Sequence, residues 1–127
     1  MHIEHIALWT RQLEEMKAFY QTYFGANASQ KYTNPKTHFE SYFLTFASGS
    51  RLELMHAPDV EDAPSADCKA GYAHIAISVG SKEEVDRLTQ RLEADGYRVV
   101  GSPRTTGDGY YESVVLDPDG NRLEITV

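Results

Sequence analysis

Two short stretches of this chain are written twice, in the same order and at nearly the same spacing. Glu4-His5-Ile6-Ala7-Leu8 returns as Ala73-His74-Ile75-Ala76-Ile77, and Arg51-Leu52-Glu53-Leu54 returns as Arg122-Leu123-Glu124-Ile125. The offset is 69 residues for the histidines and 71 for the glutamates. One such match means little, but two in register indicate two copies of a structural module.

Periodicity gives the content of each copy. Residues 2–9 alternate as a strand, with Ile6 and Leu8 on one side and His5, Ala7 and Trp9 on the other. A helix is expected over 11–24, where Leu13, Met16, Phe19, Tyr20 and Phe24 fall at helical spacing and Gly25 stands just past the end. Strands follow near 28–34, 39–47 and 50–57, punctuated by Asn34-Pro35 and Ser48-Gly49. The second copy repeats the order. A strand at 72–79 precedes a helix capped by Ser81, with Glu84 completing a capping box, Val85, Leu88 and Leu92 as its buried stripe, and Gly96 at its end. Strands near 97–103, 110–116 and 121–127 complete it, the last two joined by the type I turn Asp117-Pro118-Asp119-Gly120. Each module is therefore βαβββ. The acidic, Ala- and Pro-rich stretch 58–71 has no periodicity and reads as a linker between modules at about 1–57 and 72–127. A single module leaves one sheet face bare, so the expected fold is one α+β domain: two tandem modules, mixed sheets curled into a cup, helices outside.

Composition narrows the setting. The 127 residues suffice for a hydrophobic core, and no run approaches a membrane span. A formal net charge of −7 with scattered Lys and Arg argues against nucleic acid as a partner. The N-terminal residues lack the pattern of a secretory signal, and the single cysteine, Cys68, cannot form an internal disulfide, so a reduced, cytoplasmic setting is expected.

The repeat also selects candidate site residues. His5 and His74 point away from their apolar strand neighbours, and Glu53 and Glu124 each sit between two apolar residues. All four are expected on the face that the helices leave uncovered. A mid-strand carboxylate among apolar neighbours is costly unless its desolvation is offset. A divalent metal offsets it: two neutral imidazoles and two carboxylates balance one dication and leave two octahedral positions for water or substrate. His2, His38 and His56 have no repeated partner and read as surface or structural residues.

The repeated His-Ile-Ala and Leu-Glu strands, the βαβββ order and the DPDG turn resemble the vicinal oxygen chelate superfamily across essentially the whole chain. That group includes glyoxalase I, fosfomycin-resistance transferases, extradiol dioxygenases and metal-free, drug-binding bleomycin-resistance proteins. The order His5, Glu53, His74, Glu124 is most similar to bacterial glyoxalase I. The resemblance implies a lyase or isomerase that uses Ni, Zn, Co or Mn and acts through an enediolate on the hemithioacetal of methylglyoxal and glutathione. It implies Glu124 as the first choice of base, Glu53 as its counterpart, and a homodimer with shared sites. Two positions depart from the pattern. The Arg expected four residues after the first His is Trp9, and the Asn expected four residues after the second ligand is Ala57. A larger aromatic pocket is expected instead. Trp9 shares the His5 face, and hairpins pairing symmetrically about their turns put Tyr42 and Tyr111 on the faces of Glu53 and Glu124. Arg104 is a candidate anion contact.

Overall fold

The structure, a computed structural model, describes residues 2–61 and 71–127. Most of the expected linker, Cys68 included, lies outside the described residues. The chain divides into two compact units, Met1–Ser65 and Ala66–Val127, with the boundary inside that linker.

The first unit runs β1 (His5–Trp9), α1 (Leu13–Phe24), β2 (Asn27–Ala28), β3 (Tyr32–Thr33), β4 (Glu40–Thr45) and β5 (Arg51–His56). Its sheet has the order β1-β5-β4-β2, with β3 also paired to β4. Strand β1 is parallel to β5, and the other pairs are antiparallel. The second unit runs β6 (Ile75–Ser78), α2 (Lys82–Ala94), β7 (Val99–Thr105), β8 (Tyr111–Leu116) and β9 (Arg122–Thr126). Its order is β6-β9-β8-β7, again with the first strand parallel to the last. The fold is α+β, two βαβββ modules each with a mixed sheet and one helix, as the repeat predicts.

Two expected strands differ in detail. The strand expected at 28–34 forms as two short pieces because Ser29 interrupts it. Its N–H donates to the Phe43 carbonyl (2.8 Å), and its hydroxyl accepts from the Phe43 N–H (3.0 Å), so a side chain takes part of the ladder's place. The strand expected at 97–103 lies at Val99–Thr105 on the sheet edge, with register shifts on either side of Gly101. Pro103 lies within the second irregular stretch and has no N–H to give the ladder, which an edge strand tolerates.

Each helix covers the apolar face of its own sheet. Leu13, Met16, Phe19 and Tyr20 of α1 are buried with Leu44, Leu52 and Leu54, and Val85, Leu88 and Leu92 of α2 with Val115, Leu123 and Ile125. Burying each such side chain contributes roughly 1.5–3 kcal/mol before entropy is set against it. The Thr89 and Ser113 hydroxyls, both buried, bond each other at 2.6 Å between helix and sheet. Among the described residues no buried side-chain nitrogen or oxygen lacks a partner, as a well-satisfied core requires.

Helix ends follow their sequence signals in part. Gly25 takes the left-handed conformation after α1 (φ 63°), which a residue with a Cβ adopts at a cost. The Ser81 hydroxyl accepts from the Glu84 N–H at 3.2 Å. The reciprocal half of the capping box is replaced, because the Glu84 carboxylate pairs with Arg87 at 3.0 Å. Ser81→Ala is therefore expected to cost about 1 kcal/mol, measured as a lower urea midpoint with an unchanged slope.

At the start of α1, Glu14 accepts from Lys17 (2.5 Å) and from the Tyr42 hydroxyl (2.9 Å), and pairs with Lys31 (2.9 Å). Hydrogen bonding from Lys17, then from Lys31, lowers its carboxyl pKa from 4.5 to about 2. A depressed carboxyl stabilises the fold fully above its unfolded value, and that stabilisation is lost as pH falls from about 4.5 through about 2. The Glu14 side chain is 56% exposed, so solvent screening holds the contribution to about 1 kcal/mol or less. Acid titration of Glu14→Gln should show lower stability at neutral pH and a flatter loss across that window than the wild type.

Candidate functional site

Sheet register decides which side chains share a face, because residues directly opposite one another project the same way. In the first unit Ala7 lies opposite Glu53, and His5 opposite Arg51. His5, Trp9, Arg51, Glu53 and Met55 therefore project from the face opposite the one that α1 covers, and His5 Nε2 is 3.8 Å from Glu53 Oε2. In the second unit Ala76 lies opposite Glu124, and His74, two residues before Ala76, brings its Nε2 to 3.1 Å from Glu124 Oε2. Both glutamates are largely shielded, their side chains 15% and 21% exposed.

The donor chemistry of each pair suits one cation. Adjacent ligands of an octahedral ion, at about 2.1 Å from it, lie about 3 Å apart. The His74–Glu124 pair, at 3.1 Å, matches that separation and the His5–Glu53 pair, at 3.8 Å, is wider; each offers an imidazole nitrogen and a carboxylate oxygen. Among the described residues no three or more of His, Cys, Asp and Glu gather into a metal cluster. The candidate ligands come as two pairs, one in each unit.

The surroundings of the pairs differ. Phe43 lies opposite Glu53, whereas Val114 lies opposite Glu124. The His5 ring stands edge-on to Phe43 at 5.4 Å, and the Arg51 guanidinium lies over the same ring at 4.0 Å. His5 Nδ1 is 2.5 Å from Glu4 Oε2, and Arg51 Nε donates to Glu4 Oε1 at 2.7 Å. The His5 hydrogen bond, with Arg51 assisting, holds the Glu4 carboxyl below its ordinary pKa. In the second module Ala73 occupies the place of Glu4. Sequence reasoning missed Glu4, Phe43 and Val114. Arg51 was visible, since the repeat carries an Arg before both glutamates, but its target was not.

Two expected pocket residues lie on the other face. Tyr42 lies opposite Leu54, is 8% exposed, and bonds Glu14 beneath the helix. Tyr111 projects with Ser113 and Ile125, and its hydroxyl donates to Asp86 of α2 at 2.7 Å, which raises its pKa. The cause is one extra residue in each hairpin connection. The Asp117 N–H bonds the Asn121 carbonyl and Gly120 adopts φ 82°, so the loop holds five residues rather than four. Gly49 (φ 86°) stands at the matching place in the other hairpin. A slip of one residue moves every side chain to the opposite face.

The remaining candidates sort simply. Trp9 lies on the His5 face, 54% exposed, in edge contact with Phe39 at 6.0 Å. With Ala57, Asp59, Val60 and Glu61 it lines a hollow of about 330 Å³. Arg104 lies opposite Glu112, 3.8 Å away, on the Glu124 face. His56 is structural, its Nδ1 bonded to the Thr10 carbonyl at 2.9 Å. His2 is exposed, and His38 sits exposed in a turn with φ 58°. A second hollow, of about 400 Å³ at the start of α1, is lined by none of the four candidate ligands. Among the described residues no helix is long and apolar enough to cross a membrane.

Known proteins agree with this architecture. An uncharacterized protein of Bacillus subtilis, YqjT, is 28% identical over 130 residues, covering 97% of this chain and 96% of its own. The crystal structure of glyoxalase I from Zea mays superposes with a TM-score of 0.80 at 22% identity, over 98% of this chain. The chain spans 44% of the length of that enzyme. A possible glyoxalase from Bacillus cereus superposes with a TM-score of 0.73 at 27% identity, over 100% of this chain and 99% of its own. The profile of the Glyoxalase/Bleomycin resistance protein/Dioxygenase superfamily matches residues 2–125, and the chain belongs to that superfamily.

Proposed function

We propose that His5, Glu53, His74 and Glu124 bind one divalent metal ion, and that the protein is a metal-dependent lyase or isomerase of the glyoxalase I kind. The observation that carries this reading is the recurrence of one His–Glu pair at equivalent strand positions of both modules, on the helix-free face. A solvated strand glutamate would have no reason to recur there at low exposure. The complete set of four also favours catalysis over drug sequestration. Nickel, zinc, cobalt and manganese all suit nitrogen and carboxylate donors. A homodimer in cytoplasm, with each site drawing one pair from each subunit, fits a chain that carries one pair per module.

The substrate is a hemithioacetal of methylglyoxal or a related α-hydroxycarbonyl compound. The metal, when bound, supplies Lewis-acid stabilisation of charge developing on the substrate oxygens. Glu124 takes the proton from the carbon bearing sulfur, and the electrons of that C–H bond form the double bond of an enediolate. Glu124 then delivers that same proton to the neighbouring carbon, with Glu53 as its counterpart in the first module, yielding a thioester with no net redox change. General-base catalysis of this kind contributes about 10²–10⁴-fold.

The hollow beside Trp9 bears on the choice of thiol. Both departures from the glutathione pattern, Trp9 and Ala57, line it together with Asp59 and Glu61. Two carboxylates there repel the carboxylates of glutathione, and the indole offers a flat apolar surface. Hemithioacetals of methylglyoxal with glutathione and with thiols lacking its two carboxylate arms should be compared for turnover by the metal-loaded enzyme. Turnover favouring the less anionic thiols is expected, and no turnover with any thiol removes the glyoxalase assignment.

A further inference from the structure

The two His–Glu pairs are equal in strand position and unequal in support. His5 is held on three sides: its Nδ1 meets Glu4 Oε2 at 2.5 Å, its ring stands perpendicular to Phe43 with ring centres 5.4 Å apart, and its Nε2 faces Glu53. Glu4 is itself fixed, because Arg51 Nε donates to its other oxygen at 2.7 Å while the same guanidinium stacks on Phe43 at 4.0 Å. The result is a closed ring of contacts, His5 to Glu4 to Arg51 to Phe43 and back. An ionised carboxylate only accepts hydrogen bonds, so Glu4 requires the proton on Nδ1. In that tautomer Nε2 carries the lone pair, and it faces Glu53. Two lone pairs facing each other repel unless a cation lies between them.

We infer that Glu4 is a positioning residue: it locks His5 in the Nδ1–H tautomer and makes the His5–Glu53 pair the stronger half of the metal site. This rests on the metal reading of the quartet. His74 has Ala73 in the equivalent place and Val114 in place of Phe43. Neither offers an acceptor to its Nδ1 or a ring to hold the imidazole plane. Carboxylate partners of this kind orient ligating histidines and raise their basicity, and losing one typically costs about 10–100-fold in metal affinity.

The test compares wild type, Glu4→Gln and Arg51→Met by competition for zinc and for cobalt against a chromophoric chelator. In parallel, long-range ¹H–¹⁵N correlation of the metal-free proteins reads the histidine tautomers. Glu4→Gln should bind about 10–100-fold more weakly, and Arg51→Met should lose less. His5 should shift from the Nδ1–H tautomer to a mixture in Glu4→Gln, while His74 stays unchanged. Glu4 is exposed, so the variant should keep the wild-type melting profile. Equal affinity in wild type and Glu4→Gln overturns the positioning role and leaves the metal site standing. An unchanged His5 tautomer in Glu4→Gln overturns it as well. A wild-type chain that binds neither of these metals, nor nickel nor manganese, overturns both readings together.

Discussion

Glu124→Gln is expected to lower kcat by about 10²–10⁴-fold and to weaken metal binding while leaving the second unit folded. Gln keeps the shape and one oxygen of Glu but carries no charge and cannot hold the abstracted proton. Glu124 is flanked by Leu123 and Ile125, both fully buried on the helix side, so the strand itself does not depend on the carboxylate. The neighbouring Val114 contributes no polar contact that would oppose the change. Glu53→Gln makes the informative comparison. A larger fall in kcat for Glu124→Gln, at saturating metal, assigns the base to the second module. A Glu124→Gln enzyme that keeps wild-type kcat with metal saturated contradicts the assignment.

Tyr20→Ala is expected to have the largest effect on stability, about 3–5 kcal/mol. Tyr20 is fully buried in α1, with Phe19 at 5.3 Å and Phe24 at 5.9 Å between ring centres. Truncation removes the transfer free energy of the ring and leaves a cavity that helix and sheet cannot both close around. Trp9→Ala serves as the contrast. It deletes a larger ring, but one 54% exposed on the opposite face, and should cost about 1 kcal/mol or less. Urea unfolding of both variants separates burial from residue size. A Tyr20→Ala loss no greater than that of Trp9→Ala contradicts the packing described for α1.

The modules were legible because repetition and periodicity are both written in single residues. His5, Glu53, His74 and Glu124 could each be placed on a face from their apolar neighbours alone, since Ile6 and Leu8, or Leu52 and Leu54, have only one place to go. Tyr42 and Tyr111 could not. Their faces depend on the length of the loops at Gly49 and Gly120, and one residue in a turn reverses the answer. The Ser81 cap was readable as a local signal, whereas Glu84 turned to Arg87, a competing partner equally close in sequence. Glu4 was hidden for a different reason. Its role depends on Arg51, 47 residues away, which reaches it only because β1 and β5 pair in parallel. The departures at Trp9 and Ala57 were visible one at a time, but that they line one hollow with Asp59 and Glu61 emerged only from the fold.

If the two His–Glu pairs serve one metal, the protein has to hold one ion per chain through both. Titration of metal-stripped protein with nickel, cobalt, zinc and manganese, followed by metal analysis after gel filtration, tests it most directly. The reading predicts one tightly held ion per chain for at least one of these metals, with stoichiometric retention lost in Glu53→Gln and in Glu124→Gln alike. Failure to retain any of the four metals, or retention that survives both single substitutions, would contradict it.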